Sequence, residues 1–291
     1  MCFDTVPHQR LINKLQKGIC GKILGWIKDF LANRKQKVVI NGTGSNWISV
    51  TSGIPQGSIL GPILFTIYIN DLPDVQNIAK LFADDTKLYA VMNEEEQQIS
   101  LQNDIDSLLK WSDRWFKILK FNKSKWKHVH LGPNANIKYN MGESEIQQVT
   151  EEKDLGIIID DKLKFKQHIN QQTKKANQRL GMIKRSFDFM DKDIFLTLFK
   201  SIVRPHLEYG NSVWSVIYIK EAIQLENVQR RATKQIKNIQ HKTYTQRLKC
   251  LGVPSLQYRI LRADMVETYK ILNNIDKVQY ETNSSFKSNY H

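Results

Sequence analysis

The chain has 291 residues, with 43 Lys and Arg against 29 Asp and Glu, a formal net charge of +14. Its longest apolar run, Ile63 to Ile69, is far too short to span a membrane. Three scattered cysteines (Cys2, Cys20, Cys250) exclude a disulfide framework or a zinc knuckle and fit a reducing compartment. The charge is unevenly spread. Between Lys162 and Lys249 there are 19 basic and 6 acidic residues, a surplus of 13; the rest of the chain has 24 and 23, a surplus of 1. A basic second half points to a polyanion partner, and its plainer reading is a solvated basic surface.

Residues 7–17 and 20–31 read as helices, with Leu11, Leu15, Ile23, Leu24, Ile27 and Leu31 at helical spacing. "KVVINGTGSNWISV" follows, two β-branched runs around Asn41-Gly42, which predicts a hairpin. "TSGIPQGSILGP" is dense in Gly and Pro and reads as a loop. The apolar segment from Ser58 to Asn70 predicts a buried helix with Pro62 in its first turn. Residues 78–83 and 86–91 read as two strands around Asp84-Asp85. Residues 94–117 predict an amphipathic helix whose apolar positions include Ile99, Ile105, Leu108, Leu109 and Trp115. "KHVHLG" and "DLGIIID" are short strands. Helices are then expected at 165–187, 191–203, 219–238 and 255–274, followed by a polar tail. The expected class is α+β: a mixed unit over 1–160, a basic helical region over 161–275 and a tail over 276–291.

The chemistry is concentrated in a few places. Two adjacent aspartates repel, and each tends to raise the other's pKa. A bound divalent cation would make such a pair worthwhile, because magnesium takes hard oxygen ligands. A two-metal site needs a further carboxylate from elsewhere. Gly53 and Gly57 let a ligand approach the main chain beside Gln56. Lys123, Lys125 and Lys127 precede a strand. Taken singly, these features read as a plain loop, a solvated turn and a wet surface.

In this order and spacing they strongly resemble the reverse transcriptase of non-LTR (LINE-type) retrotransposons, of the jockey-like and chicken-repeat-like kind. "SGIPQGSILGPILFTIYINDLP" is similar to that family's nucleotide-pocket motif and "FADD" to its metal-binding motif. "FNKSK" resembles its lysine-bearing motif and "EKDLGIIIDDKLKFKQHI" its primer grip. "IVRPHLEYGNSVW" and "LENVQRRATKQI" look like its helical thumb. The resemblance implies a polymerase palm, an antiparallel sheet packed on helices, followed by an all-helical thumb. It implies an RNA-directed DNA polymerase acting by two-metal nucleotidyl transfer with two Mg²⁺ ions, on an RNA template, a DNA primer and dNTPs. Membrane binding is not expected, and the family logic implies an intracellular place, nuclear or cytoplasmic.

The implied roles fall on particular residues. Asp84 and Asp85 would be catalytic metal ligands. Gln56 and Gly57 would line the incoming nucleotide, and Phe3 would exclude a ribose 2′-OH. Lys125, with Lys123 as competitor, would stand near the leaving pyrophosphate. Lys174, Lys175, Arg179, Lys184, Arg230, Arg231, Lys234 and Lys237 would hold the template–primer duplex. The family's third carboxylate belongs to the pattern Asp-x-x-x-x-Phe-Asp. Here Phe-Asp is Phe3-Asp4, so that Asp would fall ahead of Met1. Strand alternation would turn Asp4 away from the side of Phe3. The expectation is a chain truncated at its N-terminus, lacking fingers and the start of the palm, and inactive alone. The alternative is a nucleic-acid-binding remnant without catalysis.

Overall fold

The computed structural model describes residues 2–70, 78–82, 85–92, 95–115, 125–132, 137–187, 191–214 and 218–276. The chain divides into two compact units, one of residues 1–128 and 135–148 and the other of 129–134 and 149–291. No helix among the described residues is long and apolar enough to cross a membrane.

The first unit mixes helices and short strands. Helices α1 (His8–Leu15), α2 (Gly21–Leu31) and α3 (Leu60–Ile69) supply its main core. Leu11, Leu15, Ile27, Leu31, Ile54, Leu64, Phe65 and Tyr68 are buried together. Leu64, Phe65 and Tyr68 line one side of α3, as helical periodicity requires. Strands β1 (Lys35–Gln36) and β4 (Ile48–Ser49) pair around the inner hairpin of β2 (Val39–Ile40) and β3 (Thr43–Gly44). The turn is made by Asn41 and Gly42, both left-handed, the geometry an Asn-Gly hairpin favours. Strands β5 (Ile78–Phe82) and β6 (Asp85–Tyr89) form a second hairpin. Helix α4 (Glu95–Trp115) lies over the hairpin of β8 (Asn140–Met141) and β9 (Ser144–Glu145), burying Ile105 with Tyr139, Met141 and Ile146. The carboxamide of Gln102 accepts from the Asn140 N–H and donates to its carbonyl, standing in for a strand partner. Strand β7 (Lys127–His128) pairs parallel with β10 (Gln147–Gln148).

The second unit opens with the hairpin of β11 (Glu151–Asp154) and β12 (Ile157–Asp160). Asp160 then accepts hydrogen bonds from the backbone N–H groups of Lys162, Lys164 and Phe165, fixing the entry into α5 (Lys166–Ser186). Helix α6 (Lys192–Leu198) runs into a π-turn over Phe199–Val203, and α7 (Pro205–Glu208), α8 (Ile219–Thr233), α9 (Tyr244–Leu251) and α10 (Leu256–Leu272) follow. Phe195, Phe199, Val203, Leu207, Trp214, Leu225, Val228 and Ala232 are packed with the inner row of α5. Glu226, buried on α8, accepts from the N–H groups of Leu256 and Gln257 and so holds the start of α10.

Several expectations are corrected. Residues 2–5 form a 3₁₀ turn rather than a strand. The described strands make six two-stranded pairs, five antiparallel and one parallel. Helix α3 is not buried all round: Ile63 is 52% exposed on its outer side. Ile99 is 62% exposed, since it lies opposite the row of Leu101, Ile105 and Leu108. The units separate at 148/149 rather than at 160/161, because β12 packs on α5. Helices α7 and α9 were not anticipated, although Thr243 and Gln246 form a capping box that marks the start of α9.

His168 is fully buried, tilted against Trp214, and its Nδ1 accepts from the Ile158 N–H. Burial, and then the charge of Lys175, lower its pKa. The folded state therefore favours the neutral ring. Stability is expected to be full above the unfolded value of about 6.5 and to fall as pH drops below it. Urea titrations between pH 8 and 5 measure this; the His168→Gln variant should lose that part of the pH dependence.

Candidate active site and nucleic-acid interface

The loop before α3 is built against the start of the chain. The Ile54 N–H donates to the Phe3 carbonyl at 2.8 Å and the Gly53 N–H to the Val6 carbonyl at 2.8 Å. Pro7 and Ser52 form an isolated antiparallel bridge. His8 Nε2 donates to the Gly53 carbonyl at 2.8 Å. Gly53 is required twice over. Its φ is +94°, and a Cβ there would sit 2.7 Å from the Asp4 carbonyl oxygen and 2.9 Å from its Cα. Further on, Ser58 Oγ donates to the Pro55 carbonyl and accepts from the Gly61 N–H, which ties the loop to the first turn of α3.

This arrangement brings Phe3, Asp4 and Gln56 together. The Phe3 ring is half-buried and stacks on Phe65 of α3, with centroids 4.3 Å apart. Gln56 is exposed, and its Nε2 donates to Asp4 Oδ1 at 2.7 Å. Phe3 packs inward on Phe65 while Asp4 is exposed and meets Gln56; within a 3₁₀ turn successive side chains diverge by about a third of a turn. Gly57, at φ +81°, has open space around the position of a Cβ.

Asp85 opens β6, pairs in register with Phe82 and is exposed. Asp84 lies outside the described residues, as does Lys123. Lys125 is exposed, two positions before β7. Among the described residues no group of three or more His, Cys, Asp or Glu side chains is placed to hold a metal ion. The donor chemistry of an Asp-Asp turn, hard and anionic, nonetheless suits a divalent cation.

The expected duplex-binding cations belong to the second unit, and they divide among several environments. Helices α5 and α8 lie side by side, joined by Gln224 Nε2 donating to Asn170 Oδ1 at 2.9 Å and Arg231 to Asn177 at 3.4 Å. An open depression of about 450 Å³ on α5 is lined by Lys174, Asn177, Gln178, Gly181 and Arg185. Arg231 borders it through Asn177. Lys175 and Arg179 lie toward His206 of α7, whose pKa is lowered by burial and then by Arg179 and Lys175. Arg230 is held over the Tyr244 ring at 4.5 Å. Lys184, Lys234 and Lys237 are exposed. Arg185, which the sequence reading passed over, takes a central place because it shares a helix face with Lys174 and Gly181.

A family model described as reverse transcriptase (RNA-dependent DNA polymerase) matches residues 1–180. The chain belongs to the reverse transcriptase family. It is similar to the probable RNA-directed DNA polymerase from transposon X-element of Drosophila melanogaster, 25% identical over 244 residues, covering 80% of this chain and 27% of that protein. The polymerase from mobile element jockey of Drosophila funebris is 26% identical over 285 residues, covering 89% of this chain and 30% of that protein. The probable polymerase from transposon BS of Drosophila melanogaster is 26% identical over 258 residues, with 80% and 28% covered. The chain thus spans less than a third of the length of these curated relatives, and its affinity within the reverse transcriptases is with the jockey-like LINE elements.

The family match takes in the Gln56 loop and the Asp84-Asp85 hairpin. Two partners of that loop, Asp4 and His8, were not legible as such. Each lies more than 40 positions from what it binds, and no local pattern joins them. Gly53→Ala should destabilise the first unit by about 2 kcal/mol or more, combining left-handed strain with displacement of Asp4. Gly57→Ala, with strain alone, should cost about 1 kcal/mol. Urea denaturation of both variants checks the order.

Proposed function

We propose that this chain is the palm and thumb portion of a retrotransposon RNA-directed DNA polymerase that performs template-directed nucleotidyl transfer. The supporting observation is the family match over 1–180, which takes in both the Gln56 loop and the aspartate pair. In this reading Gln56 and Gly57 face the incoming dNTP, and Phe3 bounds the sugar side. A primer 3′-oxygen attacks the α-phosphorus and pyrophosphate leaves; Lys125 neutralises charge on the leaving group. Asp84 and Asp85 hold divalent cations, Mg²⁺ by chemical preference, which when bound supply positive charge to the reacting phosphate. The helices of the second unit hold the RNA–DNA duplex through its backbone, with Lys174, Arg185 and Arg231 around the α5 depression as the core of that contact.

An adjacent pair of carboxylates is hard-oxygen chemistry that suits Mg²⁺, and the nucleotide's own phosphates would complete the ligand set. Wild-type chain should bind dATP in a Mg²⁺-dependent manner by calorimetry, and Asp84→Asn should lose that dependence while keeping its far-UV circular dichroism. Equal Mg²⁺-dependent affinity in Asp84→Asn overturns the metal assignment.

The basic surplus of the second unit also favours a second reading, nucleic-acid binding without catalysis. An RNA–DNA duplex should bind with steep salt dependence, and Lys174→Ala with Arg185→Ala should reduce the log–log slope by about 2. A duplex affinity that is flat in salt refutes the backbone contact. Duplex binding by a chain that takes no dATP favours the second reading over the first.

A further inference from the structure

The carboxamide of Gln56 offers two different edges, a donor NH₂ and an acceptor oxygen, and an exposed amide on a loop has little to choose between its two flips. Here one flip is selected. Nε2 donates to Asp4 Oδ1 at 2.7 Å. An ionised carboxylate only accepts, so the reverse flip would set oxygen against oxygen and lose a charge-assisted bond. Asp4 does not depend on Gln56 for its own place. Its carbonyl accepts from Ser52 Oγ at 3.3 Å, and the backbone on either side of it is paired with Gly53 and Ile54. The Gly53 backbone approaches so closely that no side chain fits between. The backbone that carries the carboxylate is held in place, and its acceptor-only chemistry sets which edge of the amide can face it.

We infer that Asp4 is a positioning residue that sets the flip of Gln56, leaving Oε1 as the acceptor turned to the ligand. The group it would receive is a hydrogen-bond donor on the nucleotide, such as a sugar hydroxyl. This rests on the reading of Gln56 as part of a nucleotide pocket. It differs from the simpler possibility that Asp4 only braces the loop, because a brace would act whether or not residue 56 carries an amide.

The test is a double-mutant cycle on dATP binding by the full chain, with a spectroscopic readout beside it. Gln56→Ala and Asp4→Ala should each weaken binding by about fivefold, roughly the worth of one hydrogen bond. The double variant should be no weaker than either single one, since the second change has nothing left to disturb. Asp4→Asn, whose amide can pair with either flip of Gln56, should lose the selection and weaken binding toward the Asp4→Ala level. In chain labelled with ¹⁵N-glutamine, the Gln56 side-chain NH₂ signal, identified by its loss in Gln56→Ala, should move in Asp4→Ala without any nucleotide present.

Multiplying losses in the double variant overturn the inference and leave the pocket reading standing, because Asp4 then acts apart from the amide. An unmoved Gln56 signal in Asp4→Ala also overturns it. A wild-type chain that takes no dATP, or a Gln56→Ala variant that binds like wild type, overturns the pocket reading itself and this inference with it.

Discussion

The close passage of the Gly53 backbone over Asp4 is the constraint on which the rest of the first unit's site depends. A left-handed glycine lets the loop lie flat against the first residues of the chain, and the main-chain bonds from Gly53 and Ile54 to Val6 and Phe3 close the contact. That contact sets the Phe3 ring on Phe65 and the Asp4 carboxylate beside Gln56. The helix that follows inherits the same anchorage through Ser58. Side chains of a nucleotide-handling loop are precise only when the backbone beneath them is held, and here the holding is mostly backbone to backbone.

In the second unit, charge serves two purposes that composition cannot separate. Arg247 is buried, donating to Thr233 Oγ1 and to the carbonyls of Lys242 and Arg230, and so closes the end of α8. Arg259 pairs with Glu208, and Glu226 is consumed in holding α10 and the Tyr244 hydroxyl, whose pKa is raised by burial and then by that carboxylate. These groups fasten helices to one another. Arg230 belongs with them through Tyr244. Of the exposed cations of α5, Lys174 and Arg185 line the shallow depression on its outer side. Composition counts both kinds alike.

Local patterns carried most of the element reading. Helical spacing located α1, α2, α4, α5 and α8, and Asn41-Gly42 located its hairpin, because periodicity and turn chemistry act over a few residues. Reading failed where a neighbour distant in sequence decided the outcome. Ile99 has the right residue type for a core and lies on the wrong side of its helix. The run through α3 is apolar throughout, yet only one side of it found partners, and apolarity does not say which. Residues 2–5 fit a strand by analogy with a motif, and in the fold they form a 3₁₀ turn.

The sequence by itself determined the family, the presence of a Gly-rich loop ahead of α3 and an adjacent aspartate pair, and the basic character of the second half, since each of these is a property of adjacent residues and their order. Only the tertiary structure decided which side chains work together: Asp4 with Gln56, His8 with Gly53, Arg185 with Lys174 beside Asn177. The physical reason is range. Hydrogen bonds and close packing act over a few ångströms in space, and the chain segments that supply their two halves are brought to that distance only by the burial of apolar faces elsewhere in the fold.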